Sequence, residues 1–116
     1  MSRFAADVSF NNILLRELLR QNPDLDIVRL QDTDLWSAED PLVLEWTAQE
    51  GRVLLKQDAR TMPRYAYRRL AAGEMVAGVV VVPQSLAIGP ALEDLLIVME
   101  CSREQDWADP VRFLPL

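Results

Sequence analysis

The segment Gly78-Val79-Val80-Val81-Val82-Pro83 constrains this chain more than any other. Four consecutive valines are stiff at χ1 and suit a pleated strand better than a helix. No polar residue in the run faces water, so the strand has to be covered on both faces, as an interior strand of a parallel sheet is. Parallel neighbours need long crossovers, which are usually helices. The run therefore asks for an α/β fold with helices on both sides of a sheet.

The rest of the sequence alternates to match. Arg3 to Asp7 reads as a short apolar opening strand, followed by Asn11 to Gln21, where Leu14, Leu15, Leu18 and Leu19 recur at helical spacing. Asn22-Pro23-Asp24 stops that helix. Leu25 to Leu30 is a second strand, expected to end near Asp32. Asp40-Pro41 marks a helix start, with Asp40 capping free amides and Pro41 at the first helical position, and Gly51 closes the helix. Arg52 to Leu55 forms the third strand. A helix from about Thr61 turns Met62, Tyr65, Ala66 and Leu70 inward and ends at Gly73. After the valine strand, Leu92, Leu95, Leu96 and Met99 define a last amphipathic helix from Pro90 to about Cys101. Trp107, Val111, Phe113 and Leu114 make the tail too apolar to be loose, so it is either a closing strand or an interface segment.

At 116 residues this is one domain, 1–116, able to fold alone or as a homo-oligomer. A hydrophobic share of 50% and a charged share of 26% are globular proportions. A single cysteine, Cys101, rules out an internal disulfide, and the lack of histidine removes the usual zinc ligand and neutral-pH base. Met1 to Asp7 lacks the apolar core of a secretory signal, and no run reaches the ~20 apolar residues of a membrane span. A cytoplasmic protein that does not engage membrane is expected. The net charge of -6 disfavours a broad electrostatic hold on nucleic acid, though a local basic stripe can act within an acidic protein.

Ligands of open parallel sheets bind at the edge where strands end and helices begin. Asp7 closes the first strand, Asp32 follows the second, Asp40 opens the second helix and Asp58 follows the third strand, so topology brings all four to one edge. Carboxylates gathered there suit a hard divalent cation such as Mg²⁺ or Mn²⁺, with positions left for water and phosphate. The bland reading is that Asp40 is a cap and the others are solvated turn residues. Beside Asp58, Arg60, Arg64 and Arg68 are spaced by four on one helix face, with Arg69 adjoining and no acid on the helix. Lys56 is the only lysine. Guanidinium forks on that face would carry either an RNA backbone or an acidic partner, or form a solvated surface.

Several segments together resemble a bacterial PIN-like family: Asp7 followed by Phe10-Asn11-Asn12; Pro23-Asp24-Leu25-Asp26-Ile27-Val28-Arg29 leading to Gln31-Asp32; Asp40-Pro41-Leu42-Val43-Leu44-Glu45-Trp46; Gly51-Arg52-Val53-Leu54-Leu55; and Asp58-Ala59-Arg60-Thr61-Met62-Pro63. The resemblance covers nearly the whole chain. That family, mostly of unknown function, is similar to the toxin ribonucleases of toxin–antitoxin pairs and is often encoded beside a small antitoxin-like protein. It implies a parallel sheet of four or five strands flanked by helices on both faces. It also implies a cluster of acids that binds Mg²⁺ or Mn²⁺ to cut single-stranded RNA. On this chain the acids match Asp7, Asp40 and Asp58, with Arg60 or Arg64 steadying substrate phosphate. The chain departs from the pattern at Val8, where the family usually has Glu, and at Lys56-Gln57, where Thr with His or Asn precedes the third acid. An ammonium at Lys56 would either replace the cation or repel it.

Two functions follow as expectations. One is a metal-dependent endoribonuclease, the toxin of a toxin–antitoxin type pair. The other is a catalytically silent PIN-like module that binds an antitoxin-like partner or itself through the apolar tail or the arginines. A phosphoacceptor receiver domain shares the element order, but it needs a lysine after a late strand, and this chain has none there.

Overall fold

The valine run does lie inside a sheet. The computed structural model describes residues 3–57, 61–102 and 107–116. Among them five strands form one sheet: β1 (Arg3–Ala6), β2 (Ile27–Arg29), β3 (Arg52–Lys56), β4 (Val79–Val81) and β5 (Val111–Phe113). Their spatial order is β2-β1-β3-β4-β5 and every pairing is parallel. Val79 and Val80 are wholly buried, because β4 has neighbours on both edges and helices on both faces.

The helices are α1 (Asn12–Gln21), α2 (Asp40–Glu50), α3 (Met62–Ala71) and α4 (Ile88–Cys101). Alternation along the strands assigns them to layers. Phe4, Ala6, Val53, Leu55 and Val80 point into one core, with Leu14, Leu15 and Leu18 of α1 and Leu95, Val98 and Met99 of α4. Ala5, Leu54, Val79 and Val81 point the other way, onto Val43 and Leu44 of α2 and Met62 and Ala66 of α3. Among the described residues the result is a three-layer α/β arrangement with five parallel strands and two helices on each face.

Local signals set most boundaries. Asn11 caps α1, its side chain accepting from the amides of Ile13 and Leu14 at 2.8 and 3.1 Å. Gly51 ends α2 in the left-handed region at φ 65°. Strand β2 is shorter than the sequence suggests, because Leu30–Asp32 coil into a 3₁₀ turn held by the Thr33 hydroxyl on the Leu30 carbonyl at 2.7 Å. Inside α3 only Met62 and Ala66 are buried. Tyr65 is half-buried and Leu70, in the last turn, is exposed. The tail is a closing strand: Val111 and Leu114 are buried and Phe113 is exposed at the sheet edge. Trp107 is also buried, and its ring lies against Gly78.

Candidate functional site

The sheet order places a switch point between β1 and β3. From β1 the chain steps outward to β2, and from β3 it steps the other way to β4, so the two crossovers diverge and leave a crevice at the strand ends. Register fills that crevice with two particular residues. Ala6 pairs with Leu55, and the next rung holds Asp7 and Lys56. The backbone fixes both: the Asp7 amide donates to the Leu55 carbonyl at 3.0 Å, and the Val82 amide donates to the Lys56 carbonyl at 2.8 Å. Asp7 shares the parity of Ala5, and Lys56 that of Leu54, so both side chains turn toward the α2/α3 layer.

The N-terminus of α2 meets them there. Lys56 Nζ lies 3.2 Å from Asp7 Oδ2 and 3.7 Å from Asp40 Oδ1. Asp7 Oδ2 also accepts from Ser9 Oγ at 2.6 Å and from the Ser9 amide at 3.2 Å. Asp40 Oδ2 accepts from Thr61 Oγ1 at 2.8 Å, across from α2 to the start of α3. The site is an ammonium held between two carboxylates, each fastened by a hydroxyl. Side-chain exposure of 12% at Lys56 and 8% at Asp7 takes the pair out of the weak surface class.

Burial alone would raise the Asp7 pKa. The Ser9 hydrogen bonds and the Lys56 charge outweigh it and hold the carboxyl below its ordinary value, so Asp7 is an anion at neutral pH.

The sequence-derived site residues fare differently. Asp7 and Asp40 come together, around one nitrogen. Asp40 is not the cap it was expected to be: it is the first residue of α2 with Pro41 second, Glu39 stands at the cap position, and the Asp40 carboxylate is spent on Thr61 and Lys56. Asp32 turns to Arg29, 3.9 Å away, at the exposed end of β2. Asp58 and Arg60 lie outside the described residues. Arg64 and Arg68 are exposed and flank the Tyr65 ring, 5.9 and 5.8 Å from its centroid. Arg69 finds an acid just past its own helix, Glu74, at 3.2 Å.

Two contributors escape a reading by motif. Ser9 acts through a tight Asp-x-Ser turn, and Thr61 looks like a helix cap but makes no capping bond. Gln57 has the opposite parity to Lys56, and its Oε1 accepts from the Asn11 amide at 3.0 Å, tying β3 to the start of α1.

A divalent ion fits these residues poorly. The Asp7 oxygen facing the site already accepts three donors, two from Ser9 and one from Lys56, and an ammonium sits where a cation shared by Asp7 and Asp40 would lie. Compared with family models, curated proteins and solved structures, the chain matches none.

Proposed function

We propose that this chain is a catalytically silent PIN-like domain, an interaction module in which the Lys56 ammonium stands in for the divalent ion of a nuclease. The observation that carries this reading is the placement of Lys56 Nζ, 3.2 Å from Asp7 and 3.7 Å from Asp40. An internal cation satisfies both carboxylates and leaves neither a Lewis acid nor an activated water for phosphodiester hydrolysis. The partner favoured is a protein, in line with the small antitoxin-like partner that the PIN-like resemblance implies. The endoribonuclease reading requires the same two aspartates to release Lys56 and take up Mg²⁺ or Mn²⁺.

The purified chain should leave single-stranded RNA uncut to the same extent with Mg²⁺, with Mn²⁺ and with EDTA, and calorimetry should detect no uptake of either ion. Replacing the lysine, Lys56→Thr, should cost about 3 kcal/mol of stability by stranding a buried carboxylate, and millimolar Mn²⁺ should restore part of that loss. RNA cleavage by the wild-type chain that EDTA stops and Asp7→Asn abolishes would refute the proposal.

A further inference from the structure

Between α2 and α3 the surface opens into a groove of about 370 Å³, lined by Pro41, Leu42, Glu45, Tyr65, Arg68 and Glu74 among others, and by none of Asp7, Asp40 or Lys56. We infer that this groove receives an acidic amphipathic helix of a partner protein. In this arrangement apolar side chains lie on Pro41, Leu42 and Tyr65, and carboxylates face Arg68 in the lining and extend to Arg64, one turn earlier on α3. The inference rests on the reading of the chain as a protein-binding module and adds the surface and the chemistry of the partner.

Three observations support it. The groove has apolar anchors that the fold does not use, since Leu42 is 57% exposed. Its volume, at the low end of the ~300–1,000 Å³ of ligand clefts, suits a few side chains projecting from one helix face at i, i+3 and i+4. Its lining charges balance, Glu45 and Glu74 against Arg68 and Arg69, but its α3 side carries cations left without an acid. Arg64 and Arg68 have no carboxylate within ion-pair distance among the described residues, and α3 carries no acid, in a chain of net charge -6. Their only contacts of note are with the Tyr65 ring they flank, which holds the Arg68 guanidinium in the lining and that of Arg64 one turn earlier on α3.

The same face is unsuited to RNA. Glu74 is neutralised by Arg69, but Glu45 is not paired among the described residues, and it stands on the α2 side of the groove. A helix can carry its acids along the α3 side only. An RNA strand bears a charge at every nucleotide and cannot avoid Glu45 or the surrounding negative field.

The test uses the full chain and three fluorescent probes read by anisotropy. One is an amphipathic peptide of about 16 residues, with leucine on one face and glutamate elsewhere. The second is the same peptide with lysine for glutamate, and the third is a short single-stranded RNA. The acidic peptide should bind, more weakly as salt rises. The double variant Arg64→Glu/Arg68→Glu should weaken it about tenfold. Leu42→Asp, at an exposed first-turn position where an acid suits the helix, should weaken it without unfolding the chain, as checked by circular dichroism. No binding of the acidic peptide, equal or tighter binding of the basic peptide or the RNA, or indifference to the arginine reversal each overturns the inference. Ion uptake by the wild-type chain would remove the silent-module reading while leaving this measurement to be judged separately.

Discussion

Asp7 and Lys56 illustrate how far a residue-level reading of this sequence carries. Alternation from Phe4 and from Val53 puts Asp7 and Lys56 on the same face, but only the adjacency of β1 and β3 and their register, which the structure supplies, put them on one rung. Ser9 and Thr61 were not legible in the same way. Their roles depend on a local turn and on which way a hydroxyl rotates, and neither leaves a periodic trace. Because the Asp7 carboxyl is held below its ordinary pKa of 3.8, the unfolded chain takes up this proton more readily than the folded one. Its contribution to stability is therefore complete above that value and disappears as pH falls through the lower folded value. Asp7→Asn should flatten this part of the acid limb of a urea-midpoint-against-pH curve, at the cost of a lower plateau at neutral pH. A variant that keeps the wild-type slope there would show that Asp7 does not carry it.

At the scale of elements, the helices were more legible than the connections. The leucine stripe of α1, the Asp40-Pro41 start and Gly51 stop of α2, and the valine strand all rest on short-range signals that the tertiary structure respects. The tail was open between strand and interface because its partner is remote in sequence. Trp107 lies on Gly78, whose added Cβ would sit 2.7 Å from two ring carbons, and Gly78 also has φ 131°. Strain and collision coincide there, whereas Gly51 at φ 65° has open space around its Cβ position. Gly78→Ala should therefore cost about 3 kcal/mol in denaturant unfolding and Gly51→Ala about 1 kcal/mol. Equal costs would mean that the indole moves aside freely. β3–α3–β4 and β4–α4–β5 step in the same direction along the sheet, yet their helices cover opposite faces, so the two crossovers differ in hand.

For the molecule as a whole, the sheet order predicts a gradient of local stability. β1, β3 and β4 are bonded on both edges, while β2 and β5 each have one edge unpaired among the described residues. Native-state hydrogen exchange should be slowest for amides of Ala5, Leu54 and Val80 and measurably faster in β2 and β5. Uniform protection across all five strands would mean that the edges are covered, as an edge-to-edge dimer would cover them. Four of the strands and the covering of both faces by helices were legible from the apolar pattern, but the fifth strand, the layer of each helix and the strand order were not, since composition does not say on which side of β1 the third strand lands.

That third strand carries a charge at each end. Arg52 at its start reaches Asp26 at 2.8 Å and the Phe4 carbonyl at 3.0 Å, and Lys56 at its finish reaches Asp7 and Asp40. Sliding β3 by a single position would pull both cations off their acids together and swing Leu54 out of its hydrophobic layer into the opposite one. The ionic pairs thus act as two rivets at either end of one plank, and misaligned assemblies of the sheet are penalised at both ends simultaneously.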